Sequence, residues 1–341
     1  MRIAIDAAGV EPGQRVVIAG IKRALDETVK SQVRIEPVIY GPSAQLEEEL
    51  KDSGLLERGV EVVDSPHIVE MDDQPRQVLL SKPNSSIIKA TKDLASGVVD
   101  AFVSMGNTGA VVGACRAYLG KIRWINKPAL AIPLPRMKGV GLLLDAGAVS
   151  DPKPANLLQF AAMGSAFSER VYGVDDPKIG LMNIGTEGHK GDELTRDSYK
   201  ILAKSPLNFI GNVEGGDLFN DKADIIVTNG FVGNILLKMT ESIPGLIQER
   251  LSGTGFSVSG GGPLADLDYR KYGGATLLGV DGNVVIGHGR SSEEAVAKAI
   301  HWSVKMVRGK VVEALRDKVF KTRRAIWLTN PFARGESSEE S

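Results

Sequence analysis

Cysteine is almost missing from this chain. The single residue, Cys115, excludes an internal disulfide framework and any cysteine-based metal cluster, and a reducing, cytoplasmic setting is the expectation that follows. Histidine is equally sparse: His67, His189, His288 and His301 are scattered with no metal-ligand spacing. Charge of one sign is not in excess. Lysine and arginine number 41 against 42 aspartates and glutamates, a net of -1, which argues against nucleic acid as the main ligand. No apolar run approaches the ~20 residues of a spanning helix, and the opening MRIAIDAAG reads as a first strand rather than a signal peptide. Four familiar signatures are absent as well: G-x-G-x-x-G after a strand, G-x-x-x-x-G-K-[ST], G-x-S-x-G and H-E-x-x-H.

Apolar residues and glycine are plentiful. Hydrophobic residues make up 43% of 341, enough for a substantial core. Many of the 39 glycines directly follow short apolar segments. Strand-like runs such as Arg2–Asp6, Val99–Ser104, Val140–Leu144 and Ala223–Val227 alternate with amphipathic helical stretches, the last a long helix over Ser291–Arg316. That alternation predicts an α/β fold with a doubly wound, mostly parallel sheet covered by helices. One catalytic domain is expected over 1–325, including a segment at 240–270, with a tail at 326–341. No internal repeat is visible. Cys115 falls in an apolar helix (AVVGACRAYLG) and reads as packing rather than a nucleophile.

Ligands of such folds gather beyond the carboxyl ends of strands, so the strand-to-helix turns are the candidate sites. VSMGNTGA places Gly106, Asn107, Thr108 and Gly109 at a helix start, where backbone N–H groups and the helix dipole favour an anion; a capped turn without ligand fits equally. NIGTEGHKGDEL sets Lys190 between glycines near another helix start. FIGNVEGG carries Asn212 and Glu214 at a strand end, TNGFVGNILLK carries Asn234 and Lys238 one turn apart, and IGHGRSS holds His288 between two glycines.

Taken together these segments resemble the bacterial phosphate acyltransferases of phospholipid synthesis, the acyl-carrier-protein:phosphate transacylases. The resemblance runs from MRIAIDA to about Arg308 through SSIIKA, DAFVSMGNTGA, KPALAIPLP, LLLDAGA with DPKP, LLQFAAMGSAF, IGLMNIGTE, KGDEL, FIGNVEG, GFVGN, DYRKYGGATLLGV and IGHGRSS. It departs from the family's usual pattern after Gly9, where Val10, Glu11 and Pro12 stand, and at Asn229, where Asp is usual. The resemblance implies an acyl phosphate made from acyl-carrier-protein and inorganic phosphate, and then used by an acyltransferase that acylates glycerol 3-phosphate. It further implies a homodimer, no metal or other cofactor, an isocitrate/isopropylmalate-dehydrogenase-like fold and peripheral membrane attachment through a protruding tip.

On that reading, Asn107 and Thr108 with nearby backbone N–H groups hold phosphate, and Lys190 neutralises phosphate or the oxyanion. Asn212 and Asn234 orient the carbonyl, and His288 donates to phosphate or to the departing sulfur. Asp6, Asp145 and Asp151 orient lysines and amides, while Lys153, Glu214 and Lys238 line the substrate. Six basic residues between Arg116 and Lys138, with no acidic one, form a candidate docking surface for the acidic carrier, or simply a solvated rim. Two rival readings stand beside the enzyme: a catalytically weak homologue that binds the carrier as scaffold or regulator, and a nucleotide-dependent dehydrogenase.

Overall fold

β1 (Arg2–Asp6) is the strand that MRIAIDA predicts, with four of its five residues buried. A strand enclosed on both faces loses polar alternation and reads as a continuous apolar run. The computed structural model describes residues 1–10, 13–28, 33–250 and 273–329. The 251–270 part of the expected 240–270 segment and residues 330–341 of the tail lie outside the described residues.

The chain divides into two compact units, each drawn from two separate stretches. Unit 1 comprises Met1–Lys121 and Lys238–Gly309; unit 2 comprises Ile122–Leu237 and Lys310–Ser341. After β1 come α1 (Gln14–Thr28), β2 (Glu36–Gly41), α2 (Ser43–Lys51), β3 (Glu61–Asp64), α3 (Pro75–Ser81), α4 (Ser86–Ala95), β4 (Ala101–Ser104) and α5 (Thr108–Ala114), which continues as a π turn over Cys115–Leu119. Next are β5 (Ala129–Pro135), β6 (Val140–Leu144), α6 (Pro154–Phe167), β7 (Ile179–Met182), α7 (Glu193–Leu202), β8 (Phe209–Val213), β9 (Ile225–Val227) and α8 (Gly230–Arg250). The chain closes with β10 (Ala275–Leu278), β11 (Asn283–Ile286), α9 (Glu293–Arg308) and α10 (Val311–Thr329).

In unit 1 the strands run β3-β2-β1-β4-β11-β10, all pairs parallel except β10 with β11. α1 buries Val17, Ile18, Ile21, Ala24 and Leu25, one helical stripe, and packs on α9. In unit 2 the order is β5-β6-β9-β7-β8, parallel except β5 with β6. α6 is apolar nearly all round, and α10 packs along it. The mostly parallel α/β architecture is therefore as expected.

Three details differ from the sequence reading. The long helix expected over 291–316 is two helices, because the chain turns at Gly309 and Lys310, whose φ is +50°. α10 then runs to Thr329, into the stretch expected to be tail. α3 and β10 were not anticipated at all. Among the described residues no helix is long and apolar enough to cross a membrane.

Candidate functional site

Register places the carboxyl ends of the parallel strands of each unit along one sheet edge. In unit 1 Asp6 lies beside Ser104, which lies beside Ile286. In unit 2 Leu144 pairs with Val227, Val227 with Leu181, and Leu181 with Asn212. Neighbouring strands are ~4.8 Å apart, so the turns that follow them stand shoulder to shoulder. The candidate residues fall into these two edges.

In unit 1 Asp6 is wholly buried. Its Oδ1 accepts the Ala8 N–H at 3.0 Å and its Oδ2 accepts the Ser104 hydroxyl at 2.7 Å. Ser104 Oγ in turn accepts the Gly106 N–H at 3.1 Å. Burial pushes the Asp6 carboxyl up from 3.8 to about 6, only partly offset by these hydrogen bonds. The relay Asp6–Ser104–Gly106 thus shapes the turn before α5. The Gly287 N–H donates to the Ser104 carbonyl, which brings the His288 turn alongside. His288 is half-buried, and its Nδ1 accepts the Arg290 N–H at 3.1 Å.

Asn107, expected to hold phosphate through its side chain, is engaged elsewhere. Its Oδ1 caps α5 by accepting the Ala110 N–H, and its Nδ2 donates to the carbonyls of Glu70, Met71 and Asp73 at 3.1, 3.0 and 2.9 Å. The amide is therefore a clamp that ties the 70–73 loop to the α5 start. The N–H groups of Thr108 and Gly109, the first two of the helix, have no intrahelical acceptor by geometry. Asn107→Asp is expected to keep the cap but set a carboxylate against three carbonyls. The loss should be about 2 kcal/mol or more, read by thermal melting and by proteolysis within 70–73. Unchanged melting with weaker phosphate use would instead make Asn107 a ligand.

A cavity of about 860 Å³ opens beside Ala7, Ala8, Gly9 and Val10. Its rim carries Glu48, Glu49, Asp52, Glu70 and Asp72 against Arg15, so its charge suits no anion. Lys238 is also matched internally, pairing with Glu241 at 2.8 Å one turn on. Cys115 is buried, and desolvation raises its thiol to about 12, which makes it packing as expected.

In unit 2 Asp145 ends β6 much as Asp6 ends β1. It is buried, and its carboxylate accepts four backbone N–H groups: Leu130 at 2.8, Gly147 at 3.2, Ala148 at 3.0 and Val149 at 2.7 Å. Desolvation still raises its pKa. Both aspartates therefore orient main-chain turns rather than lysines. Asn229 Oδ1 caps α8 through the Val232 N–H at 2.8 Å, the acceptor role an aspartate would fill. A Cβ placed on Gly147 would lie 3.6 Å from Asn234, whose exposed amide makes no hydrogen bond among the described residues.

Two asparagines pin the Lys190 loop to the ends of β7 and β8. Asn183 Nδ2 donates to the Lys190 carbonyl and Asn212 Nδ2 to the Glu187 carbonyl, both at 2.9 Å. Asn212 is buried and its Oδ1 has no partner among the described residues. Its amide holds the loop. The Lys190 side chain is exposed and has no acidic partner among the described residues. Glu214 is exposed at the end of β8, its N–H donating to Asp217. Asp151 and Lys153 are exposed at the start of α6, with the Asp151 carbonyl accepting from Lys127 and the Lys153 N–H donating to Asn156. Among the described residues no cluster of three or more histidine, cysteine, aspartate or glutamate side chains is arranged to hold a metal.

Sequence reasoning overlooked Ser104, Asn183 and the anchoring role of Asn229. The shared turn-orienting role of Asp6 and Asp145 did carry a signal, the matched segments IDAAG and LDAGA, each an aspartate closing an apolar strand.

The family model described as "Fatty acid synthesis protein" matches residues 1–314. A phosphate acyltransferase of Desulfitobacterium hafniense is 40% identical over 332 residues, covering 94% of this chain and 98% of that one. One from Pelotomaculum thermopropionicum is 39% identical over 333 residues, with 94% and 95% covered. Among solved structures, a phosphotransacetylase from Streptococcus pyogenes aligns with a TM-score of 0.61 at 17% identity, over 92% of this chain and 94% of that one. A branched-chain phosphotransacylase from Enterococcus faecalis aligns with a TM-score of 0.57 at 15% identity, over 90% and 99%; both likenesses are of fold. By sequence, this chain belongs to the phosphate acyltransferase family.

Proposed function

We propose that the protein transfers an acyl group from an acyl-carrier-protein thioester to inorganic phosphate, supplying acyl phosphate for phospholipid synthesis. A phosphate oxygen attacks the thioester carbonyl, the tetrahedral oxyanion collapses with cleavage of the C–S bond, and the carrier thiolate leaves and takes up a proton. Phosphate is already a nucleophilic anion and a thiolate a good leaving group, so the demands are positioning and oxyanion support. Orientation lowers such barriers by ~7–11 kcal/mol, and one oxyanion donor is worth ~3–4 kcal/mol.

The observation that supports this reading is the Lys190 loop, whose backbone Asn183 and Asn212 pin at a strand end, with an exposed ammonium that has no acidic partner among the described residues. In the same unit Asn234 offers an exposed amide, without a hydrogen bond among the described residues, beside Gly147 of the Asp145 turn. In unit 1 the Thr108 and Gly109 N–H groups are donors for an anion. His288, Asp151, Lys153 and Glu214 are kept as substrate-contacting groups, while Asn107 and Asn212 position the loops. The names of the relatives support the reaction class. A homodimer, peripheral membrane contact, hand-over to a glycerol-3-phosphate acyltransferase and the isocitrate/isopropylmalate-dehydrogenase-like description belong to the same proposal. The exposed apolar residues Phe231, Ile235 and Met239 at helical spacing on α8 support an interaction face there.

Incubation with acyl-carrier-protein should release free carrier only when phosphate is present. Lys190→Ala should lower that turnover at least about tenfold with unchanged melting. Carrier binding without phosphate-dependent release would favour the scaffold reading, and a fully active Lys190→Ala would remove the lysine from the mechanism.

A further inference from the structure

The basic run between Arg116 and Lys138 is not one surface. Arg136 is largely buried, its guanidinium paired with Asp224 at 2.8 Å and donating to the Ala223 carbonyl. Lys127 donates to the Asp151 carbonyl. Arg123 is different, because it is exposed and stacks on Trp124, 4.6 Å from the ring centroid. A second guanidinium, that of Arg323 on α10, lies 4.1 Å from the same centroid. It too is exposed, and neither arginine has an acidic partner among the described residues.

This arrangement is built. Trp124 sits at φ +76°, a conformation uncommon for a bulky residue. Gln159 of α6 secures it from both sides, donating to the Trp124 carbonyl at 2.9 Å and accepting the Asn126 N–H at 3.0 Å. The Ile125 N–H closes a turn onto the Ile122 carbonyl. Two like charges are thereby held against one indole with no counter-charge among the described residues. A guanidinium stacked on an aromatic ring retains its hydrogen-bonding fork for a carboxylate. Beyond them α10 adds the exposed cations Lys321 and Arg324, and the chain has no acidic residue from Lys318 to Thr329.

We propose that Arg123 and Arg323, braced on Trp124, form a docking clamp on unit 2 for the carboxylate-rich surface of the acidic carrier that delivers the acyl group. This rests on the carrier-thioester reading above and adds where the carrier is gripped. Charge complementarity selects the partner: an acidic protein surface supplies carboxylates in the bidentate geometry that two stacked guanidiniums favour, and steers encounter in a salt-dependent way.

The test uses the full chain carrying Arg123→Glu and Arg323→Glu. Turnover is compared on acyl-carrier-protein and on the same acyl group carried by a short pantetheine thioester. KM for the carrier substrate should rise about tenfold or more at low salt and lose most of its salt dependence, with KM for the short thioester unchanged. Trp124→Ala should give a smaller rise in the same direction. An unchanged carrier KM, or an equal rise with the short thioester, overturns the clamp. So does a variant whose only defect is lost binding to phosphatidylglycerol vesicles, which would assign the patch to anionic lipid. If neither thioester is consumed even by the unmodified protein, the transferase reading fails; binding of labelled carrier then decides the clamp, supported by at least about tenfold weaker binding to the reversed variant and overturned by equal binding.

Discussion

Gly233→Ala is expected to destabilise the protein by more than ~3 kcal/mol, beyond the usual range for one added methyl. A Cβ at that position would come within 1.8 Å of the Asp145 carbonyl oxygen and 2.8 Å of its carbon. Both partners are backbone, so no side-chain rotation relieves the clash. Nor can the Asp145 turn withdraw easily, because its carboxylate is engaged by four main-chain N–H groups and the Gly230 N–H is bonded to the Val149 carbonyl. The start of α8 must move instead, taking Asn234 with it. Gly245→Ala is the matched control on the same helix: nothing lies within 4 Å of its Cβ position, and the change should stabilise by up to ~1 kcal/mol through helix propensity. Melting temperatures of the two variants decide the matter. Equal melting of Gly233→Ala and the unmodified protein would refute the close approach.

The second large effect concerns Asp6. Its carboxyl titrates near 6 when folded against 3.8 ordinarily. A raised folded value means that the folded state holds the proton more tightly than the unfolded chain. Stability is therefore fully present below 3.8 and is lost as pH rises toward 6, after which the deficit is constant at ~3 kcal/mol. Asp6→Asn keeps an oxygen for the Ala8 N–H and presents an amide to Ser104, without the buried charge. We expect urea unfolding of this variant to be flatter between pH 4 and 6 than that of the unmodified protein, and its stability at pH 7.5 to be equal or higher. An identical slope in the two proteins would show that Asp6 is not the group responsible.

Much of the fold was legible because enclosed strands are written as apolar runs. β1, β4, β6 and β9 were all identifiable on that basis. α3 was not, since only Val78 is buried and Leu80 is 84% exposed, leaving no apolar stripe. The break between α9 and α10 was hidden because buried Met306 and Val311 continue the apolar pattern across Gly309 and Lys310. The candidate turns were found from glycines after strands, but what each side chain does there was not readable. The acceptors of the Asn107 amide lie more than thirty residues away, and the donors to Asp145 are main-chain N–H groups that composition does not encode. Lys238 shows the opposite case. Its partner Glu241 stands at helical spacing in plain view, and the ion pair, not a ligand, accounts for its charge.

The interleaving of the two units bears on how the protein is made. β4 pairs with β11, so the central part of the first sheet must wait for residues near 283. The second unit needs α10, which begins at Val311, to cover α6. On the ribosome the first unit cannot close before residues near 283 have emerged, nor the second before α10, and long-range pairing of this kind is slow. The partly synthesised chain therefore exposes the apolar edges of β4 and the flank of α6 throughout elongation, when a holding chaperone would have most to cover.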